Sequence, residues 1–246
     1  MGGMPQFLPF VQRWFSETFR EPTQPQREGW EAIASGRDTL LVAPTGSGKT
    51  LASFLWALDH LHRLALEDRL EDRVYVVYVS PLRALNNDIE KNLREPLAGI
   101  RAAAAADDLA LPEVRVAVRT GDTLAAARQA MTRRPPHVLI TTPESLYILL
   151  TTQGFRPALA LARFVIVDEV HALMASKRGA HLALSLERLQ ALVSDREPGA
   201  RPQRIGCSAT VRPVEDALAF LTGATAHEPV LVDAGFSRDL DVQVVS

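Results

Sequence analysis

Apolar residues along this chain follow two alternating spacings. Short runs are apolar at consecutive positions, as in Val74-Tyr75-Val76-Val77-Tyr78-Val79 and Phe164-Val165-Ile166-Val167. Strands of that kind need cover on both faces, which a parallel sheet provides. The pattern predicts strands at Thr39–Ala43, Val74–Ser80, Val114–Val118, His137–Thr141, Phe164–Asp168 and Arg204–Ser208. Weaker signals lie at Val230–Val232 and Leu240–Val245. Between the runs, apolar positions recur at steps of three and four. Leu182, Leu186, Leu189 and Val193 make one helical stripe. Val214, Ala217, Leu218 and Leu221 make another after Pro213, a residue suited to a first helical turn. Strand alternating with helix predicts a mostly parallel, doubly wound α/β sheet with helices on both faces. Ligands of such a sheet sit at the C-terminal strand ends.

Composition changes that picture little. The 246 residues are 47% apolar and 23% charged, as expected for a globular domain that buries on the order of 70–75% of its unfolded surface. The stretch Arg101–Pro112 is alanine-rich, then acidic, and reads as a fraying helix end and loop, with disorder expected around Arg101–Asp108. A net charge of −2 disfavours a large basic footprint, although a local patch can still hold phosphates. The single cysteine, Cys207, excludes an internal disulfide and a Cys-based zinc site. No apolar run approaches the ~18–20 residues of a membrane span, and the N-terminus lacks a leader pattern. The expectation is a cytoplasmic protein with no membrane contact.

The first candidate site follows the strand Thr39–Ala43. Pro44-Thr45-Gly46-Ser47-Gly48-Lys49-Thr50 leads into an apolar helix, Leu51–Leu66, so the order is strand, glycine loop, helix. Gly46 and Gly48 let several backbone N–H groups turn toward one anion, and the helix adds its positive end. Thr45 and Ser47 complete the cradle, Lys49 brings a cation to the β and γ phosphates, and the Thr50 hydroxyl is a Mg²⁺ ligand. The general pattern opens with Gly where this chain has Ala43.

A second candidate is the acidic end of the strand Phe164–Val167. Adjacent carboxylates there are costly unless they face a cation or water. Beside a phosphate loop, the economical assignment is Mg²⁺ at Asp168 and an attacking water at Glu169. Lys49, Asp168 and Glu169 are thus the catalytic candidates. His171, three residues beyond Asp168, is a candidate for coupling to Ser208 and Thr210 at the end of another strand. A plain helix cap before Pro213 explains Ser208 and Thr210 nearly as well on local grounds.

Taken together, these motifs resemble superfamily 2 helicases of the DEAD/DEAH-like kind, in their DEVH form, and specifically the large helicase-related (Lhr) type. Ala43–Thr50 resembles motif I and Ser80-Pro81-Leu82-Arg83-Ala84-Leu85 motif Ia. Thr120-Gly121-Asp122 and Thr141-Thr142-Pro143-Glu144-Ser145-Leu146 resemble the next two nucleic-acid motifs. Asp168–His171 resembles motif II and Ser208–Thr210 motif III. Ala43 is normal in that family. Pro22-Thr23-Gln24-Pro25-Gln26 resembles the Q motif, which implies that Gln26 reads the adenine edge, with Gln24 the lesser alternative and Phe19 a further candidate contact. The aromatic opening Phe10…Trp14-Phe15…Phe19 and Lys177–Leu182 bring the chain nearest the Lhr type.

The resemblance implies a RecA-like P-loop NTPase fold, ATP and Mg²⁺ as cofactors, and single-stranded nucleic acid, DNA rather than RNA, as partner. Its implied contacts are Pro81, Arg83, Gly121, Thr142 and Ser145, with the helix after Thr142 offering N–H groups to a phosphate. None reads bases, so backbone tracking is expected, in the 3′-to-5′ direction by family likeness. The expected organisation is a helical segment with the Q-like motif (1–36), an ATP-binding lobe (37–234) and an exit linker (235–246) toward a second lobe. That second lobe, which carries arginine fingers in the family, would act in cis or in trans. Only 36 residues follow Thr210, so the expectation is one lobe, nearly inactive in hydrolysis and unwinding by itself. The alternative is a regulatory module that holds nucleotide or a strand for a partner chain. A transporter ATPase or small kinase leaves Gln26, Ser80–Leu85 and Ser208–Thr210 unexplained.

Overall fold

A computed structural model describes residues 6–81, 89–223 and 228–235. Arg83, most of the Ser80–Leu85 motif, the Leu240–Val245 signal and nearly all of the 235–246 linker lie outside them. The described strands are β1 (Thr39–Val42), β2 (Val76–Val79), β3 (Val116–Arg119), β4 (Val138–Thr141), β5 (Phe164–Val167), β6 (Gln203–Ser208) and β7 (Val230–Asp233). They form one sheet in the order β3-β4-β2-β5-β6-β1-β7, and each neighbouring pair runs parallel.

Side chains alternate between two cores, as the two-residue period of a strand requires. Leu41, Val76, Tyr78, Ile140, Ile166 and Ile205 face one core. Leu40, Val42, Val77, Val79, Leu139, Val165 and Val167 face the other. The first core is covered by α1 (Pro9–Phe19), α2 (Gln24–Ala34), α3 (Lys49–Leu66) and α4 (Glu95–Ala105), the last entered through a wide turn at Glu90–Arg94. The second is covered by α6 (Pro143–Thr151), α7 (Arg156–Leu159), α8 (Val170–Leu173), α9 (Lys177–Arg196) and α10 (Val214–Thr222). Helix α5 (Ala125–Arg133) contributes only Met131 to a core, which suits its place beside the edge strand.

Two expectations need correction. Arg101–Asp108 is ordered: α4 runs to Ala105, buries Ile100 and Ala104, and is tied to α1 through Arg13, which reaches Ala103 O and the Asp107 carboxylate. Alanine's high helix propensity and two buried positions outweigh the low complexity of the stretch. Pro213 precedes its helix rather than opening it; α10 begins at Val214.

Buried polar ties fix the layers. Arg204, 1% exposed, sends Nη1 to Glu187 Oε1 (2.8 Å) and Leu221 O (3.1 Å), and Nη2 to Gln190 Oε1 (2.8 Å). It joins β6 to α9 and α10. Leu8 N donates to Asp59 Oδ1 at 2.6 Å, which seats the start of α1 on α3.

Candidate nucleotide and nucleic-acid site

The C-terminal strand ends lie along one edge of the sheet, and the expected motifs fall there. The phosphate loop leaves β1, with Gly46 and Gly48 at φ 80° and 87°. Gly48 caps α3 without a side-chain acceptor, so the first-turn N–H groups have none. Lys49 folds inward and donates to Pro44 O at 3.3 Å. Ser47 Oγ is buried in the loop and has no hydrogen-bond partner. An orphaned hydroxyl beside open amides is a cradle suited to phosphate oxygens.

Asp168 follows β5, with β6 between it and β1. Thr50 Oγ1 nevertheless lies 3.4 Å from Asp168 Oδ2, because α3 carries Thr50 across the end of β6. A hydroxyl and a carboxylate this close, beside a phosphate cradle, make an oxygen donor set suited to Mg²⁺. Glu169 adopts a left-handed backbone (φ 53°), a conformation that costs a non-glycine residue about 1–2 kcal/mol. Its own N–H bonds Asp168 Oδ1 at 2.8 Å. Local strain at a catalytic candidate is held in place by the surrounding packing.

A cavity of about 530 Å³ runs past these groups. Its lining includes Gln26 and Phe19, the phosphate loop, and Asp168 and Glu169. Gln26 is 3% exposed and already employed: Oε1 accepts from Thr23 N (2.9 Å) and Nε2 donates to Gly48 O (3.5 Å). Thr23 Oγ1 in turn donates to Ser47 O at 2.8 Å. The start of α2 is therefore fastened to the phosphate loop. One amide proton and one lone pair of Gln26 stay available to a ligand. Gln24 points elsewhere, bonding Glu28 at 2.9 Å.

His171 meets Ser208 as anticipated. Its N–H donates to Ser208 Oγ at 3.2 Å, and its Nδ1 lies 3.3 Å from Ser208 Oγ, Ala209 N and Glu169 Oε2. Thr210 is exposed and does not join this cluster.

The nucleic-acid candidates spread along the same edge beyond Asp168. Thr142 caps α6, accepting from Ser145 N (3.4 Å), and its hydroxyl lies 3.2 Å from Ser145 Oγ. Ser145 is buried and its hydroxyl lies against Thr142 Oγ1, inside the first turn of α6, so it is not on the exposed edge with Gly121. Gly121 is exposed, and a Cβ there would touch nothing within 4 Å, so no intramolecular contact demands a glycine. Pro81 is half-buried and offers its carbonyl to Arg178 at 3.3 Å; Arg178 also bonds Glu144 through Nε (2.5 Å) and Nη2 (3.2 Å). Arg178 thus clamps the loop after β2 to the first turn of α6.

Sequence reasoning missed Arg178 as a clamp, and Lys91, Asn92 and Glu95, which line the same cavity from the entry to α4. No local signal marks them. A separate cavity of about 320 Å³, lined by His62 and Arg101, lies between α3 and α4, away from the phosphate loop.

The profile of the DEAD/DEAH box helicases matches residues 23–217 of this chain. The chain belongs to that family. Within the DEAD/DEAH box helicases it is similar to the ATP-dependent helicase Lhr-Core of Methanothermobacter thermautotrophicus, 50% identical over 240 residues, covering 96% of this chain and 27% of that protein. It is likewise 50% identical over 239 residues to an Lhr helicase/probable uracil glycosylase of Mycolicibacterium smegmatis, covering 97% of this chain and 15% of that one. A solved Mycobacterium smegmatis helicase Lhr, bound to ssDNA and AMP-PNP, superposes with a TM-score of 0.83 at 48% identity, covering 94% of this chain and 28% of its own. The chain spans about a quarter or less of the length of these relatives. The RecA-like fold, the P-loop and the Lhr resemblance stand together. Among the described residues no helix is long and apolar enough to cross a membrane.

Proposed function

We propose that this chain is a first RecA-like lobe of an Lhr-type helicase, binding Mg²⁺·ATP at the phosphate loop and single-stranded DNA along the β2–β4 strand ends. The observation that carries the reading is the 3.4 Å approach of Thr50 Oγ1 to Asp168 Oδ2 beside the amides of Thr45–Lys49. The loop amides and Lys49 bind the β and γ phosphates, and Thr50 and Asp168 hold the Mg²⁺. That ion, when bound, neutralises charge developing on the transferred phosphoryl group. Glu169 orients the attacking water, and Gln26 presents its remaining proton and lone pair to the adenine edge.

His171, pinned against Ser208, relays nucleotide state to the neighbouring strand end. Thr142, Gly121 and the α6 N-terminus receive the phosphates of the strand, with Pro81 nearby; Arg83 is assigned to the same role on its motif alone. These contacts carry no base information, so binding tracks the backbone.

The described cations lining the cavity are Lys49 and Lys91. An arginine finger is worth ~10³–10⁵ in turnover, so the 246-residue chain assayed by itself hydrolyses ATP slowly and does not unwind duplexes. A second RecA-like lobe, in cis or in trans, restores the rate.

The test is Lys49→Ala, titrated with a fluorescent ATP analogue. Binding should be abolished with an unchanged circular dichroism spectrum. Unchanged affinity, or brisk DNA-stimulated ATPase from the unaltered chain, contradicts the reading.

A further inference from the structure

Tyr78 stands on β2, one strand away from β5, and belongs to none of the recognised motif positions. Its side chain is 2% exposed, and its hydroxyl donates to Asp168 Oδ2 at 2.5 Å. The other carboxylate oxygen accepts from Glu169 N at 2.8 Å. Both oxygens of Asp168 are therefore held by the protein, Oδ1 by Glu169 N and Oδ2 by the short Tyr78 bond beside the longer 3.4 Å contact of Thr50 Oγ1, and the carboxylate plane is set before any ligand arrives. The phenol is itself immobilised. Phe54 lies against it, with ring centroids 4.8 Å apart and planes 33° apart. Phe54 is one turn beyond Thr50 on the same face of α3. One helix face thus presents the expected hydroxyl ligand and the ring that holds the residue orienting the expected carboxylate ligand.

We infer that Tyr78 is a positioning residue for the magnesium site, fixing the Asp168 carboxylate in the orientation that holds Mg²⁺ beside Thr50. The inference rests on the Mg²⁺·nucleotide reading above. A hydrogen bond to an ionised carboxylate is roughly twice as strong as one between neutral groups, and outer partners of metal ligands set the ligands' geometry. Removing such a partner typically costs about 10–100-fold in metal affinity. A buried tyrosine hydroxyl that merely satisfies itself would instead affect stability alone.

The variant is Tyr78→Phe, which keeps the ring and its packing on Phe54. Tyr75→Phe is the control; it removes another buried tyrosine hydroxyl on the run leading into β2, bonded to Arg69 O at 3.1 Å, away from the site. Binding of a fluorescent ATP analogue is titrated with Mg²⁺ and repeated in EDTA, and Mn²⁺ binding is read by electron paramagnetic resonance. Expected for Tyr78→Phe are a Mg²⁺ requirement raised about tenfold or more, a matching loss of bound Mn²⁺, and unchanged binding in EDTA. Tyr75→Phe should match the unaltered chain. An unchanged Mg²⁺ and Mn²⁺ dependence overturns the inference while leaving the nucleotide site standing. So does an equal loss with and without metal, or the same shift in Tyr75→Phe. Failure of the unaltered chain to bind nucleotide overturns both readings.

Discussion

Gln26 offers the sharpest test of how the N-terminal helices serve the site. Its side chain closes a reciprocal cap with Thr23: Oε1 takes the Thr23 N–H at 2.9 Å, and Thr23 Oγ1 takes the Gln26 N–H at 3.4 Å. Through Thr23 Oγ1 to Ser47 O (2.8 Å) and Gln26 Nε2 to Gly48 O (3.5 Å), the same pair supports the phosphate loop. Gln26→Ala removes the returning half of the cap and the Gly48 contact. The returning half is one hydrogen bond, worth about 1 kcal/mol within a range of about 0.5–1.5, and the 3.5 Å bond adds little. In a domain of this size that predicts a melting temperature lowered by roughly 2–4 °C. Thermal unfolding of the ligand-free protein measures it. A cycle with Thr23→Ala should be non-additive by about 0.5 kcal/mol or more, since the two residues share one device. The ATP-over-GTP preference should fall in the same variant, because the free proton and lone pair are lost with the cap. A melting temperature shifted by less than about 1 °C, or strict additivity, refutes the structural argument. Unchanged purine selectivity refutes the adenine role alone.

Two further outcomes follow from the geometry. His62 is buried and kept neutral, its pKa pushed down from 6.5 to about 4 by desolvation. Its stability contribution is complete above the unfolded pKa of 6.5 and is lost as pH falls toward 4, by up to about 3 kcal/mol; the fall in urea midpoint across that window should shrink in His62→Leu and persist in part, because burial also pushes His137 down to about 4. Arg178→Ala breaks a half-exposed ion pair with Glu144, so stability should change by less than about 1 kcal/mol. Single-stranded DNA affinity, read by anisotropy, should fall severalfold because the Pro81 loop loses its tether to α6.

The sheet, the phosphate loop and the acidic strand end were legible because each is written in consecutive residues. Apolar runs declare buried parallel strands, and a glycine loop between strand and helix has few other uses. Contacts across the fold were not legible. Tyr78 and Ile166 have the same sequence signature, a buried residue in an apolar strand, and only the register between β2 and β5 turns one of them toward Asp168. Arg178 and Glu144 are 34 residues apart and look like ordinary surface charges until α6 and α9 pack together. The burial of Ser145 was equally hidden: its hydroxyl reads as free in the sequence and lies against Thr142 Oγ1 in the folded chain.

The placement of β6 between β1 and β5 acts as a spacer for the chemistry at their ends. Two inter-strand steps of about 4.8 Å separate the cradle's strand from the acid's strand, and α3 closes the remaining gap with the Thr50 side chain. On the proposed Mg²⁺ reading, the width of β6 sets the spacing between the two groups assigned to the ion. A bulge or slipped register in β6 would detune magnesium binding with every ligand intact, and His171, anchored to that strand through Ser208, would register the same displacement.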